Sequence, residues 1–204
     1  MMSWMKFKLI LFDAGDVIFQ SNTAVSDSLA RKFNISEEEL VGVWKGVYKD
    51  LSRGTHTTDE FIDLFANKFN IPRDQINLDD FIVPYKETLV LIPGIEDLIT
   101  KLSKKNITLA SLSDTSEMFH LSRNNLRIFK YFDKQFLSFD IGHMKPDKKT
   151  FQTVIDHYKL KPEEIFFIDD NQINIDAAKG LGMNGVIFKN TKQLTKALQD
   201  NNIL

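Results

Sequence analysis

The chain has 204 residues, 43% hydrophobic and 26% charged, the balance of an ordinary globular protein and a length that suits one domain or at most two. Cysteine is absent, which excludes a disulfide framework, a thiolate zinc site, an iron–sulfur cluster and a cysteine nucleophile. With 26 basic and 28 acidic side chains the formal net charge is −2, so no overall basic field draws in nucleic acid or an anionic lipid surface.

The opening segment, residues 1–6, carries no apolar stretch ending in a cleavage site and does not read as a signal peptide. Leu9-Ile-Leu-Phe12 has the length of a buried strand, far below the ~20 apolar residues that a bilayer requires. No longer apolar run follows, so the expected setting is cytoplasmic, with no membrane partner. Asp13-Ala-Gly-Asp16 follows this first strand. Residues 23–88 hold no strand-like run and read as several helices. Ser36-Glu-Glu-Glu39 and Thr57-Thr-Asp-Glu60 each place a hydroxyl at the N-cap and Glu three residues on, the pattern of a capping box. Phe61, Leu64 and Phe65 make an apolar stripe that reads as core, and Trp44 with Tyr48 reads as packing rather than a sugar platform. The main unit resumes near Pro93-Gly94, with a helix over 95–102. Ile107-Thr-Leu-Ala110 is the second strand and leads to Ser113-Asp-Thr115. A weaker run, Phe136-Leu-Ser-Phe139, precedes Lys145-Pro146 and a helix over 148–158. Ile165-Phe-Phe-Ile168 leads to Asp169-Asp-Asn171, and a helix opening near Asn174 ends at Gly180 and Gly182. Gly185-Val-Ile-Phe188 is the last strand. Strands alternating with helices argue for an α/β fold with a parallel sheet. His120, His143 and His157 show no metal-ligand spacing and read as structural or exposed.

Ligands of open α/β sheets bind at the carboxyl ends of strands, where Asp13, Ser113 and Asp169-Asp170 all fall. Each acid alone reads as a helix cap, and Lys145 alone as a solvated side chain. The adjacent pair Asp169-Asp170 is harder to dismiss, because like charges repel unless a cation or base lies nearby. In this order the elements resemble the haloacid dehalogenase superfamily over essentially the whole chain. The run ending at Asp13 resembles its first motif, Leu112-Ser113 its second, Lys145-Pro146 its third, and Phe166-Phe-Ile-Asp-Asp170 through Asn174 its fourth. Asp13-Ala-Gly-Asp-Val17 is similar to the sugar-phosphate phosphatases whose first motif reads Asp-x-Gly-Asn-Val.

The resemblance implies a Rossmann-like, three-layer α/β core over 1–20 and 89–204, with a helical cap inserted over 21–88. It implies a Mg²⁺-dependent phosphatase acting on a small phosphorylated metabolite, as a monomer or homodimer. Asp13 would be the nucleophile and form an aspartyl-phosphate. Mg²⁺ would take Asp13, Asp170 and the Gly15 carbonyl, with Asp169 and Asn174 close by. Lys145 would steady Asp13 and the phosphoryl charge. Ser113 would hydrogen-bond a phosphoryl oxygen, helped by the amides of Ala14, Gly15 and Asp114. The cap turn Arg53-Gly54-Thr55-His56 would hang over the phosphate site, where Arg53 or His56 either touches the leaving group or stays solvated.

The sequence departs from the family pattern at two positions. Gly15 stands where most of the family's phosphatases have a second Asp as general acid, and Asp16, one residue later, either replaces it or points elsewhere. Asp114 stands where Asn is usual, and caps the following helix in preference to facing substrate. A 2-haloacid dehalogenase would use the same nucleophile on carbon but lacks the paired acids and the metal. A catalytically silent phosphate-binding relative finds its only support in Gly15.

Overall fold

A computed structural model describes residues 6–21, 24–123 and 126–204. Residues 1–5, on which the leader reading rests, and positions 22–23 of the expected insert lie outside the described residues. The short apolar runs become the strands β1 (Leu9–Phe12), β2 (Thr108–Ser113), β3 (Lys134–Leu137), β4 (Ile165–Asp169) and β5 (Asn184–Ile187). They form one sheet in the order β3-β2-β1-β4-β5, and every neighbouring pair is parallel. The helices before β2 are α1 (Ala24–Phe33), α2 (Glu37–Ser52), α3 (Thr58–Phe69), α4 (Asp79–Glu87) and α5 (Ile95–Leu102). Those after it are α6 (Glu117–Leu121), α7 (Ser138–Ile141), α8 (Lys148–Tyr158), α9 (Gln172–Lys179) and α10 (Thr191–Asp200).

Every residue of β1 is buried, as a strand covered on both faces must be. The two-residue alternation of a strand divides it between two cores. Ile10 and Phe12 pack with Leu98, Ile99 and Leu102 of α5 and with Leu194 and Leu198 of α10. Leu9 and Leu11 turn the other way, toward Phe151 and Val154 of α8 and Ile175 of α9. That is a three-layer arrangement, helices on both faces of a parallel sheet.

Several strand boundaries differ from expectation, and β4 runs one residue further, to Asp169. The second strand runs on to Ser113, so this serine is its last residue. The run expected at 136–139 is cut at Leu137, the partner of Ser113. Ser138 opens α7 instead, its hydroxyl accepting from the Thr115 amide at 2.8 Å and donating to the Thr115 carbonyl at 3.0 Å. The last strand is Asn184–Ile187, and Phe188 stands beyond it with its amide on the Asp169 carbonyl at 2.8 Å.

Helices α1–α4 lie between β1 and α5 and share a separate core of Leu29, Leu40, Phe61, Phe65 and Phe81. Trp44 stacks on Phe61 with centroids 4.8 Å apart. Both capping boxes form, at Ser36 with Glu39 and at Thr57 with Glu60. Leu64 is not core. It is 38% exposed, because the buried face of α3 runs Phe61, Ile62, Phe65, Ala66. The chain leaves and re-enters the sheet through a short antiparallel neck. Phe19 bridges Leu91, the Gln20 amide donates to the Val90 carbonyl at 2.8 Å, and the Ile92 amide to the Ile18 carbonyl at 2.9 Å.

The turn after α2 is pressed against the core. Gly54 has φ +67, and a Cβ there would lie 2.2 Å from the Phe139 carbonyl oxygen. A left-handed L-residue costs ~1–2 kcal/mol before any clash, so Gly54→Ala should lower unfolding stability by roughly 2 kcal/mol or more in a urea melt. An unchanged midpoint would mean that the turn does not hold this contact in solution.

Candidate active site

The register of the sheet assembles the site. Phe12 pairs with Ser111 on one side and Ile168 on the other, which brings Asp13 level with Asp169 at the carboxyl edge. The Asp13 amide continues the ladder onto the Ile168 carbonyl at 2.8 Å. Ser113 ends β2 at the same edge. Lys145 reaches in from the loop before α8, with Nζ 2.8 Å from Asp13 Oδ1 and 2.8 Å from Asp169 Oδ2 and a side chain only 2% exposed. Asp169 is fully buried. Its Oδ1 accepts from the Asn171 amide at 2.8 Å and from Asn174 Nδ2 at 3.0 Å. Asn174, in the first turn of α9, therefore holds Asp169 in place. Asp170 is exposed at the mouth, and Asp13, Asp169 and Asp170 each offer an oxygen within 4.8 Å of the others.

Burial pushes the Asp13 carboxyl up to about 7, with Lys145 opposing and the Asp169 charge adding to the rise. Burial also raises Asp170, again with help from Asp169. On Lys145 burial works against the charge, but Asp13, Asp169 and Asp114 outweigh it and hold the ammonium above the ordinary lysine value. One lysine facing this many carboxylates leaves a negative excess, which either a proton or a hard cation relieves. Carboxylate oxygens at this spacing suit a divalent cation. With its pKa moved from 3.8 to about 7, folded Asp13 keeps a proton that the unfolded chain has released, so metal-free stability falls as pH rises through that window. A cation competes with the proton. Added MgCl₂ should therefore raise the melting temperature more at pH 7.5 than at pH 5. Equal shifts at both would separate Asp13 from any metal site.

A cleft of about 430 Å³ opens over this edge, and Asp13, Gly15, Ser113, Asp114, Lys145, Asp170 and Asn174 line it. The residues expected on the first, second, third and fourth motifs thus come together, though several details differ. The Ala14 amide, expected to face a phosphoryl group, donates to Asp13 Oδ1 at 2.7 Å, the nearest acceptor in its own loop. Asp16 sits in the left-handed region at φ 52 and accepts from the Ser21 amide at 2.9 Å and hydroxyl at 2.8 Å, so its carboxylate is tied to the rim. Asp114 does not cap a helix. Ser116 caps α6, two residues nearer to it, while Asp114 Oδ1 accepts from the Lys145 amide at 3.0 Å and so ties the second motif to the third.

The turn Arg53, Gly54, Thr55, His56 is exposed and does not line the cleft. Its close approach to Phe139 folds it onto α7, and Thr55 bonds back to the Asp50 carbonyl at 3.1 Å. Tyr48 of α2 and Tyr85 of α4 face the cleft instead. Tyr48 is 43% exposed and so is not core packing, whereas Trp44 is. The sequence reading also missed Arg123, two residues past α6. It is 6% exposed, lines the cleft, and donates from Nη2 to Ser113 Oγ at 3.2 Å. No spacing rule marks it, because it stands beyond the end of α6, a helix of only five residues. Of the histidines, His143 lies 3.6 Å from Asp147, His157 meets Phe136 edge-on, and His120 is half-buried against Phe139.

A solved HAD family enzyme from Bacteroides thetaiotaomicron, in complex with magnesium and inorganic phosphate, is 25% identical with a TM-score of 0.76, over 91% of this chain and 96% of that one. The phosphorylated carbohydrates phosphatase of Thermotoga maritima is 27% identical over 48% of this chain and 46% of its own length. The (S)-2-haloacid dehalogenase 4A of Burkholderia cepacia is 23% identical over 86% of this chain and 80% of its own. The chain spans less than half the length of several curated relatives, 36%, 44% and 46% in three of them. The family model for haloacid dehalogenase-like hydrolases matches residues 7–182, and with the sheet order and acidic edge described above it shows that the chain belongs to that family of hydrolases.

Proposed function

We propose that the chain is a Mg²⁺-dependent phosphatase that hydrolyses a small phosphorylated metabolite through an aspartyl-phosphate. The observation that carries this reading is the state of Asp13. Both of its contacts, with the Ala14 amide and Lys145, fall on Oδ1, and among the described residues Oδ2 accepts no hydrogen bond. Oδ2 attacks phosphorus, an O–P bond forms, and the ester P–O bond breaks toward the leaving group. Water then attacks the same phosphorus, releasing inorganic phosphate and restoring the carboxylate. Lys145 holds Asp13 in place and offsets charge on the phosphoryl group, and Ser113 donates to one of its oxygens. Asp13, Asp170 and the Gly15 carbonyl would hold Mg²⁺, which neutralises the acidic edge and the incoming dianion. The acidic triplet and the magnesium–phosphate complex of the Bacteroides relative support that assignment. Helices α1–α4 serve as the cap over 21–88, on a core of 1–20 and 89–204, and bring Tyr48 and Tyr85 to the leaving-group side. A dehalogenase acting on carbon has no use for Asp170 beside Asp169.

Gly15 supplies no acid, and Asp16 is held by Ser21, so the leaving oxygen departs without a proton from this loop. General acid catalysis is worth ~10²–10⁴-fold and matters most for poor leaving groups. With MgCl₂ present, kcat/KM should be highest for aryl phosphates, acyl phosphates and sugar 1-phosphates, and low for sugar 6-phosphates. EDTA should abolish turnover. A flat dependence on leaving-group pKa would mean that another acid serves the site, and full activity in EDTA would remove the metal.

A further inference from the structure

Two cations line the cleft, and their surroundings differ. Lys145 lies between Asp13 and Asp169 at 2.8 Å each. Arg123 is just as deeply buried, yet among the described residues no carboxylate comes within 4.0 Å of its guanidinium, and Asp13 offsets its charge only from a longer distance. Its guanidinium carbon lies 4.9 Å from the Phe19 ring centroid, the Tyr85 hydroxyl stands beside it, and Nη2 donates to Ser113 Oγ at 3.2 Å. A serine hydroxyl has one proton and two lone pairs. With Nη2–H on a lone pair, the Ser113 proton is free to point into the cleft.

We propose that Arg123 is a second substrate-binding cation of this site, which takes phosphoryl oxygens with its remaining N–H groups while turning Ser113 into a donor toward the same group. This assignment rests on the phosphatase reading above. Lys145 is already matched by two carboxylates, so it offsets only part of the charge of a phosphoryl dianion. A buried cation without a counter-ion costs stability, and a bound anion removes that cost. The planar fork of a guanidinium fits two oxygens of a phosphate, which an ammonium cannot do. Tyr85 comes from α4, so the helical insert backs the guanidinium as it faces the phosphoryl group.

The test uses inorganic phosphate as the probe. Calorimetry with MgCl₂ present compares wild type, Arg123→Gln and Arg123→Lys, alongside their melting temperatures without phosphate. Phosphate should bind at least about tenfold more weakly to Arg123→Gln, with Arg123→Lys between the two. The melting temperature of Arg123→Gln should hold or rise, because the unpaired charge is gone, whereas Arg123→Lys keeps that charge; a guanidinium kept for structure would give a lower one in Arg123→Gln. The rate loss should be similar for aryl and sugar phosphates. Ser113→Ala should cost less in the Arg123→Gln background than in wild type, since the two groups act on one set of oxygens. Phosphate affinity within about twofold of wild type in Arg123→Gln overturns the proposal, and so does a lowered melting temperature in that variant. Wild-type protein that neither binds phosphate nor cleaves any ester removes the phosphatase reading itself. Turnover that persists undiminished in Arg123→Gln removes only the role of Arg123.

Discussion

Asp13→Asn should reduce turnover of an aryl phosphate by at least about 10⁴-fold, the scale seen when a covalent nucleophile is lost. The amide oxygen that replaces Oδ2 carries no negative charge, and the amide has no place in an acyl-phosphate that water could resolve. The fold should persist. Asp13 is one of several acids around a single lysine, and burial already drives its carboxyl toward the neutral form. The variant should therefore melt no lower than wild type in the absence of metal, and acid quenching should trap no phosphoprotein. Turnover within tenfold of wild type would show that the attack comes from another group.

Lys145→Ala should lose about 10³-fold in kcat/KM and also weaken the fold. Removing one preorganised charge from a reacting oxyanion typically costs ~10²–10³-fold. Here the same ammonium also separates Asp13 from Asp169, with its side chain 2% exposed. Deleting one partner of a buried ionic pair leaves the other unpaired and costs about 3 kcal/mol or more. The metal should stabilise this variant more than wild type, because the cation must then offset both carboxylates alone. Lys145→Arg should not restore the rate, since a planar fork cannot occupy the space of a compact ammonium between two oxygens. Near-normal kinetics in Lys145→Ala would make it a bystander.

Much of this site could be read before folding because parallel strands deliver it. A residue that follows a buried apolar run must emerge at the carboxyl edge, so Asp13, Ser113 and Asp169 announce their own location. Helices with strong period and caps were equally plain, with α5 and α8 found where the spacing put them and the Ser36 and Thr57 boxes intact. What stayed hidden depends on contacts far apart in sequence. Phe136-Leu-Ser-Phe139 looked like one strand because nothing local shows that Ser138 bonds to Thr115, 23 residues away. The destination of Asp114 is likewise an amide 31 residues on. Tyr48 shares a helix face with Trp44 in sequence, but only the placement of α2 over the sheet decides which of the two reaches the cleft. The turn 53–56 was expected over the site, and its withdrawal onto Phe139 follows from one backbone approach that only glycine permits.

The neck through which the insert leaves the sheet has an evolutionary reading. Its two strands of chain meet at Phe19 and Leu91, flanked by the hydrogen bonds from Gln20 to Val90 and from Ile92 to Ile18. What is threaded between them is, to the core, a loop whose ends are already closed. Doubling the length of such a loop costs only ~0.6 kcal/mol in closure entropy. Helices there can be lengthened or shortened while β1 and its neighbours keep their register, so long as the insert keeps its contacts with Phe139 and Met118. On the proposed function, chemistry and choice of leaving group drift at separate rates within one chain, and a chimera carrying a relative's helices between residues 21 and 88 should inherit that relative's selectivity.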